Sequence, residues 1–227
     1  MIIYEKLFKA HGLSLTQQRI IELVGQNKKV LEVGSSSGYM SKFFLRNNCR
    51  VDVVEIEKIA LKKVSKKINK VIHKSIEDSS IASELNKDYD FIILSDVIEH
   101  LAFPEKALEN LKKIASNDTK LILSTPNIAC WIIRKELFLK GRFEYEESGI
   151  LDKTHLRLFT VDSLLKLLSE SGWKTHQIIG TITRLPFEGL ILKIPIINFI
   201  FERIFKKPLV NLNKNLAFVH FIVVSQI

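Results

Sequence analysis

Short apolar runs alternate with helical patterns along most of this chain, and this alternation constrains its fold more than any other feature. The run YDFIILS at 89–95 is nearly all apolar, as expected for a strand buried on both faces. Apolar residues recur at helical spacing in 58–68 and 104–115, and a helix-like segment lies near 38–47. Strands that alternate with helices imply right-handed crossovers and a parallel sheet covered on both sides. The first five predicted strands are 29–33, 50–56, 70–74, 89–95 and 120–126.

The alternation pauses after Pro126 and resumes with a helix at 160–172. Thr160 is a suitable cap for the start of this helix and Gly172 for its end. Strands are predicted near 173–182 and at 216–227, which brings the number of strands to seven. The sequence therefore predicts one sheet large enough to organise a single domain.

Composition argues against several other classes of protein. The only two cysteines, Cys49 and Cys130, form no CxxC pattern, so neither a disulfide framework nor a metal site is predicted. The net charge is +9, but the lysines are spread without interleaved aromatic residues, which does not fit a nucleic-acid groove. The first residues lack a signal-peptide core, and the longest apolar stretch, Ile194–Phe201, is too short to span a bilayer. We therefore expect a cytoplasmic chain.

The turn in VLEVGSSSGYM, residues 30–40, has three interpretations. It matches the G-x-S-x-G elbow of hydrolases, with Ser36 as nucleophile and Asp152 and His155 as partners. Such an elbow normally follows a central strand, whereas this turn follows the first one. A dinucleotide site, with Glu55 as the ribose acid, needs a glycine where Ser36 stands, because the backbone there touches a pyrophosphate. A cofactor without a pyrophosphate does not need that glycine.

The third interpretation is a family resemblance. In chain order, VLEVGSSSG, VDVVEIE, YDFIILSDVIEHLAFPEKALENLKKI and LILSTPN resemble the motifs of the class I S-adenosylmethionine-dependent methyltransferases. The resemblance covers residues 28–182. It implies an α/β fold, a Rossmann-like three-layer αβα sandwich whose seven-stranded sheet is mostly parallel with an antiparallel last strand. It also implies S-adenosylmethionine as the cofactor.

In this interpretation the chain is one methyltransferase domain, 1–227, with three additions. They are an N-terminal helical segment at 1–27, a substrate-side insert at 126–159 and an apolar insert at 184–215 before the last strand.

The resemblance implies a cofactor site at the carboxyl edge of the sheet. Glu55 would take both ribose hydroxyls, and Glu32 would orient the turn or reach the methionine ammonium through water. A solvated strand end is the alternative for Glu55, and a loop cap is the alternative for Glu32. The helix after Gly38 would offer N–H groups to the methionine carboxylate, and Ser75 and Ile76 would line the adenine pocket. The full predicted cofactor set is Glu32, Gly34, Ser35, Ser36, Gly38, Tyr39, Glu55, Ile56, Ser75, Ile76, Ser95, Asp96 and Val97.

Methylation of a hydroxyl needs a base to take its proton. His100 follows the fourth strand and His155 lies in the insert, so either histidine could serve, or each could be a structural hydrogen-bonder. The insert GRFEY…GILDKTHLRLFT resembles bacterial methyltransferases encoded among glycan and polysaccharide biosynthesis genes. That resemblance implies O-methylation of a sugar, glycolipid or other small hydroxyl acceptor. Asp152 and Arg157 are predicted either to bind the acceptor or to pair with each other.

Two other functions stay open at this stage: N- or C-methylation of a small molecule, and a non-catalytic cofactor-binding interaction protein. The segment 184–207 also has open alternatives. A helix from Pro195 would present a broad apolar surface beside Lys206 and Lys207. That surface is predicted to lie in the core, in a homodimer or at a membrane. A lipid-linked acceptor favours peripheral contact with the inner face of the membrane.

Overall fold

A computed structural model describes residues 12–62, 66–182 and 213–227. Its strands are β1 (Lys29–Val33), β2 (Arg50–Val54), β3 (Lys70–Ile72), β4 (Phe91–Ser95), β5 (Lys120–Pro126), β6 (Lys174–Ile182) and β7 (Phe218–Gln226). They form one seven-stranded sheet of order β3-β2-β1-β4-β5-β7-β6. β7 runs antiparallel to both β5 and β6, while the pairs among β1 to β5 are parallel. The predicted fold class is confirmed.

Helices cover the sheet and connect its strands. They are α1 (Leu15–Val24), α2 (Ser41–Arg46), α3 (Lys58–Leu61), α4 (Ile81–Glu84), α5 (Pro104–Lys112), α6 (Trp131–Lys140), α7 (Val161–Glu170) and α8 (Lys214–Ala217), with a 3₁₀ turn at Ile98–His100. None of the helices in the described part of the chain is long and apolar enough to cross a bilayer.

Local sequence signals explain where several helices begin. Ser14 caps α1 and Thr160 caps α7, each side chain accepting a hydrogen bond from a backbone amide three residues on. Pro104 occupies the first turn of α5, where its missing N–H costs nothing. Gly172 follows α7 at a φ of +77°, as its predicted role at the end of that helix requires.

Several predicted boundaries were wrong by a few residues. The predicted strands 50–56 and 70–74 end at Val54 and Ile72. Of the helix predicted at 58–68, Lys58–Leu61 forms α3, and residues 63–65 lie outside the described residues. Ala60 is the buried residue of α3, so packing adds little to the stability of this short helix. The predicted strand 216–227 begins at Phe218 instead, because the Asn213 side chain accepts from the Leu216 amide and starts α8.

The additions to the domain are described only in part. Within the predicted N-terminal segment, α1 covers Leu15–Val24, and residues 1–11 lie outside the described residues. Most of the apolar insert, residues 183–212, also lies outside them. The predicted alternatives for 184–207 therefore stay predictions.

The centre of the sheet is buried on both faces. Leu31 and Ile92 belong to one apolar cluster, while their neighbours Val30 and Ile93 belong to another on the opposite face. Strand order reverses between β1 and β4, which are adjacent and parallel. The carboxyl ends of β1, β2 and β4 therefore meet at one edge of the sheet, around the switch point where such folds bind ligands.

Candidate functional site

A cavity of about 330 Å³ opens at this carboxyl edge, between the loops that follow β1, β2, β3 and β4. Its volume lies within the range of small-molecule sites. Eight of the residues predicted to bind the cofactor line it: Gly34, Ser36, Glu55, Ile56, Ser75, Ile76, Asp96 and Val97.

The glycine–serine turn after β1 forms one wall of the cavity. Gly34 has a φ of +68°, and its amide donates to the Val54 carbonyl at 2.8 Å. A Cβ on Gly34 would lie 2.5 Å from Cγ2 of Val97, so no side chain fits there. Ser36 also has a positive φ, +50°, although it is not a glycine. The turn is therefore built around close backbone approach to the cavity.

Glu55 holds this turn against the end of β2. Its Oε2 accepts from the Ser36 amide at 2.6 Å and its Oε1 from the Glu57 amide at 2.9 Å. The residue is only 7% exposed, so the alternative of a solvated strand end does not describe it. A carboxylate fixed in this way presents its remaining acceptor capacity to the cavity.

Two serine hydroxyls of the turn are buried without a hydrogen-bond partner among the described residues. They are the Oγ atoms of Ser35 and Ser36. Buried polar atoms are normally paired, so the hydroxyl of Ser36, which lines the cavity, indicates that a polar ligand completes the site. Together with the Glu55 carboxylate and the close backbone at Gly34, it fits the polar cofactor that the family resemblance implies.

Five other predicted cofactor residues are not among those that line the cavity: Glu32, Ser35, Gly38, Tyr39 and Ser95. Glu32 lies behind the turn, buried, and accepts a hydrogen bond from the Ser41 hydroxyl. Burial raises the pKa of Glu32 to about 7. The Tyr39 hydroxyl accepts from Nε2 of Gln17 at 3.2 Å, which ties the turn to α1. Glu32 and Tyr39 therefore support the turn from the side that faces away from the cavity.

The loop after β3, which is predicted to contact the adenine, has a support that the sequence analysis missed. Asn110 is buried in α5, and its Nδ2 donates to the carbonyls of Ile76 at 3.0 Å and Asp78 at 2.9 Å. Glu77 also lines the cavity, and its carboxylate accepts from the Phe103 amide at 2.5 Å. The available signal was a polar residue within the apolar face of a predicted amphipathic helix.

A second chamber of about 240 Å³ lies beside the cofactor cavity, and Asp96 lines both. Its other walls come from the 3₁₀ turn after β4, the ends of β5 and β7, and the insert: Glu99, Pro126, Gly149, Ile150, His155, Val219 and His220. The predicted substrate-side insert therefore forms part of a chamber next to the cofactor cavity.

Asp96, between the two chambers, has a strained backbone and a histidine partner. Its φ is +56°, its Oδ1 lies 2.7 Å from Nε2 of His220, and it accepts from the Ser124 hydroxyl at 2.9 Å. Burial acts to raise the pKa of Asp96, but His220 and Ser124 outweigh burial and hold that pKa below its usual range. His220 was missed because it reaches Asp96 only through strand pairing.

His100 and His155, the two predicted bases, lie side by side. Their ring centroids are 4.9 Å apart. His100 lines the cofactor cavity and His155 lines the second chamber. Nδ1 of His100 is 3.1 Å from the Thr154 carbonyl, and Nδ1 of His155 is 3.0 Å from the Ile150 carbonyl. Burial lowers the pKa of His155, so its ring is neutral near pH 7.

Glu99 joins these histidines, and the sequence analysis did not single it out. It is 1% exposed, and its Oε1 lies 4.0 Å from Nε2 of His155. Burial and then the charge of Asp96 raise the pKa of Glu99 well above its usual range. The nearby Thr125 hydroxyl acts in the opposite direction but makes no hydrogen bond of normal geometry with the carboxylate.

Asp152 and Arg157, the predicted acceptor-binding pair, have roles in the loop itself. The Asp152 carboxylate is buried and accepts from both the amide and the hydroxyl of Thr154, at 2.8 and 2.7 Å. Thr154 in turn lines the cofactor cavity. Arg157 is exposed and donates to the Ala102 carbonyl at 2.8 Å. Their contact with an acceptor stays a prediction.

Comparisons with known proteins point to one family. A sequence family described as a methyltransferase domain matches residues 5–178, more than half of the chain. An uncharacterized protein of Methanocaldococcus jannaschii is 26% identical over 152 residues, which covers 67% of each chain.

Solved structures share the fold. A SAM-dependent methyltransferase from Archaeoglobus fulgidus is similar with a TM-score of 0.67 at 16% identity, over 100% of both chains. Magnesium protoporphyrin IX methyltransferase from Synechocystis, solved with bound SAM, has a TM-score of 0.55 at 13% identity, over 93% of this chain and 77% of that one.

Proposed function

The chain belongs to the class I S-adenosylmethionine-dependent methyltransferases, and from that premise we propose that it methylates a hydroxyl oxygen of a sugar, a glycolipid or another small molecule. One observation carries the choice of oxygen. The second chamber adjoins the cofactor cavity and contains carboxylate and imidazole groups at their junction. A hydroxyl acceptor must lose a proton when it is methylated, and such groups assist that loss.

The residues of the first cavity suit the cofactor. Glu55 would accept hydrogen bonds from the ribose hydroxyls, and the unpartnered Ser36 hydroxyl would form a hydrogen bond with the cofactor. Ser75 and Ile76 would contact the adenine. S-adenosylmethionine supplies a methyl group on a positively charged sulfur, which leaves as a neutral thioether. The chain has to orient the two reactants, exclude water and provide for the acceptor's proton.

The alternatives make different demands on the second chamber. A neutral amine is a stronger nucleophile than an alcohol and can lose its proton after the methyl transfer, so it needs less help from a base. The group of Glu99, His100 and His155, of which Glu99 and His155 are buried, therefore favours an oxygen acceptor over nitrogen. The same group, next to the cofactor cavity, argues against a non-catalytic binding protein, which would have no use for it.

Transfer of labelled methyl groups tests this proposal. The purified chain is incubated with methyl-labelled S-adenosylmethionine and matched acceptors that differ only in a hydroxyl or an amine. We expect label in the hydroxylated sugars or glycolipids, as an ether that resists mild base. Label confined to the amines would contradict the choice of oxygen. Binding of S-adenosylhomocysteine without transfer to any acceptor would favour the non-catalytic alternative.

We also propose that the insert contacts a membrane surface, as a lipid-linked acceptor would require. Helix α6 presents Phe138, 89% exposed, and Leu139, 64% exposed, beside the basic Lys135 and Lys140. Apolar and basic side chains together are typical of helices that lie on anionic lipid. The buried Ile133 of the same helix packs in a cluster with the loop that lines the second chamber.

Sedimentation with vesicles tests the membrane contact. We expect more wild-type protein to sediment with anionic vesicles than with neutral ones, and Phe138→Ser with Leu139→Ser to reduce the difference at least threefold. Leu15→Ser is the matched control, because Leu15 is 69% exposed on α1. Equal recovery of wild type with and without vesicles would contradict the contact. A change in oligomeric state in the double variant would point to a homodimer instead.

A further inference from the structure

The carboxylate of Glu99 differs from the other buried carboxylates in the described part of the chain. Four of these accept hydrogen bonds: Glu32, Asp52, Glu55 and Asp152. Both side-chain oxygens of Glu99 lack a partner within the described ranges. A buried carboxylate without donors is costly, so a structure that keeps one normally supplies a compensating group.

Two imidazoles converge on this carboxylate. One ligand atom from each of Glu99, His100 and His155 can be chosen so that all three lie within 4.8 Å of one another. The Oε1 of Glu99 and Nε2 of His155 are 4.0 Å apart. Two atoms bound to one cation at about 2.1 Å lie about 3–4 Å from each other, so small side-chain movements would close the set.

The hydrogen bonds of the two histidines suit metal ligation. Nδ1 of His100 faces the Thr154 carbonyl and Nδ1 of His155 faces the Ile150 carbonyl. A carbonyl only accepts, so Nδ1 carries the proton in both rings and Nε2 is the lone-pair nitrogen. Histidine ligands in metal sites are typically oriented in this way, by a backbone or carboxylate acceptor on the other nitrogen.

The surrounding charge also favours a cation. Asp96 and Asp152 both add negative potential at Glu99. A carboxylate with two imidazoles is a donor set that binds Zn²⁺, Mn²⁺ or Fe²⁺. No sequence motif pointed to it, because the third member, His155, comes from the insert.

We propose that Glu99, His100 and His155 bind one divalent transition-metal cation at the boundary between the cofactor cavity and the second chamber. Binding of the cation is independent of the proposed function, whereas its part in catalysis rests on that function. There the cation coordinates the acceptor's hydroxyl oxygen and lowers the pKa of that hydroxyl. The O–H bond breaks, its electron pair stays on oxygen, and the proton passes to water. The two histidines then act as ligands and not as the base.

Metal titration of the full chain tests the site. Chelator-treated protein is titrated with MnCl₂, and the loss of the free Mn²⁺ signal is followed by electron paramagnetic resonance. We expect one saturable site per chain. Glu99→Gln and His155→Gln should each weaken binding at least tenfold. The control is His176→Gln, at an exposed position in β6, which should bind as wild type does.

The outcomes separate this inference from the proposed function. Absence of a saturable site in the wild type, or equal affinity in Glu99→Gln and wild type, overturns the inference. S-adenosylhomocysteine affinity is measured in each variant as a check on folding, since Glu99 and His155 do not line the cofactor cavity. Full methyl transfer by chelator-treated protein would remove the cation's catalytic part and leave the proposed function standing. Failure of the wild type to bind S-adenosylhomocysteine would contradict the proposed function. The Mn²⁺ titration would still test the metal site.

Discussion

At the scale of single residues, Gly34 has two separate reasons to be glycine. Its φ of +68° is unfavourable for other residues, and a Cβ would lie 2.5 Å from the branched Val97 side chain. Gly25 shares the first reason only, since its φ is +72° and no heavy atom beyond its two chain neighbours lies within 4 Å of the position that a Cβ would take. The pair therefore separates backbone strain from close approach.

We predict that Gly34→Ala lowers the free energy of unfolding by about 2–4 kcal/mol and Gly25→Ala by only about 1 kcal/mol. Urea unfolding measures both. Adding Val97→Ala should recover part of the loss at Gly34, because it removes the contact but not the strain. Equal losses in the two single variants would show that the approach of Val97 is unimportant.

Glu32 gives a pH dependence with a definite sign. Its pKa is about 7 in the folded chain against 4.5 in the unfolded one, so the folded state binds the extra proton between those values. Its contribution to stability is therefore fully present below pH 4.5 and is lost as pH rises through 7, roughly 3 kcal/mol in all. We predict that wild type loses more stability than Glu32→Gln between pH 5 and 8 in urea unfolding. Parallel pH profiles for the two proteins would contradict the assignment.

At the scale of elements, α5 supports the loop after β3, which is predicted to contact the adenine, through one side chain. Asn110→Ala would leave the buried carbonyls of Ile76 and Asp78 without the donor that now satisfies both. We predict a loss of about 1–3 kcal/mol in unfolding free energy and a several-fold weaker affinity for S-adenosylhomocysteine. Lys113→Ala is the control. The Lys113 ammonium donates to the amide oxygen of Asn110 at 3.0 Å, but Lys113 itself is exposed. Unchanged affinity in Asn110→Ala would mean that the loop is fixed by other contacts.

The sequence was informative about elements whose signal is local. β1 and β5 have the predicted bounds, 29–33 and 120–126, because continuous apolar runs mark buried strands. Glu99 could not be identified in this way. It is buried because the insert folds over its turn, where the amides of Leu156 and Arg157 both donate to its backbone carbonyl at 2.9 Å. His220 reaches Asp96 through the antiparallel pairing of β5 and β7, in which Pro126 lies opposite His220. Contacts between distant segments leave no periodic pattern in a single sequence.

At the scale of the whole molecule, the two edges of the sheet have different tasks. The carboxyl edge carries the cavity, whereas Asp52 joins segments that lead into strands at the other end. Its carboxylate accepts from Asn69 at 2.5 Å, Asn86 at 2.7 Å and the Tyr89 hydroxyl at 2.8 Å. Asp52 is 1% exposed, and of its three donors Tyr89 is also buried, Asn86 is half-buried and Asn69 is exposed.

We predict that Asp52→Ala lowers the free energy of unfolding by about 2–4 kcal/mol, because three donors lose their acceptor. The folded fraction should bind S-adenosylhomocysteine as tightly as wild type does. Urea unfolding and calorimetry on the same preparation measure the two effects. A parallel loss of affinity would show that this network also shapes the carboxyl edge.

The central claim is a methyl-donor site in which Glu55 accepts hydrogen bonds from the ribose hydroxyls. Calorimetric titration with S-adenosylhomocysteine tests this claim most directly. Wild type should bind one molecule per chain. Glu55→Ala should weaken binding by about 1–3 kcal/mol, roughly five- to 150-fold, because the ribose hydroxyls lose their acceptor. Glu170→Ala, at an exposed position at the end of α7, should bind like wild type. No binding by wild type, or the same affinity in Glu55→Ala, would contradict the account.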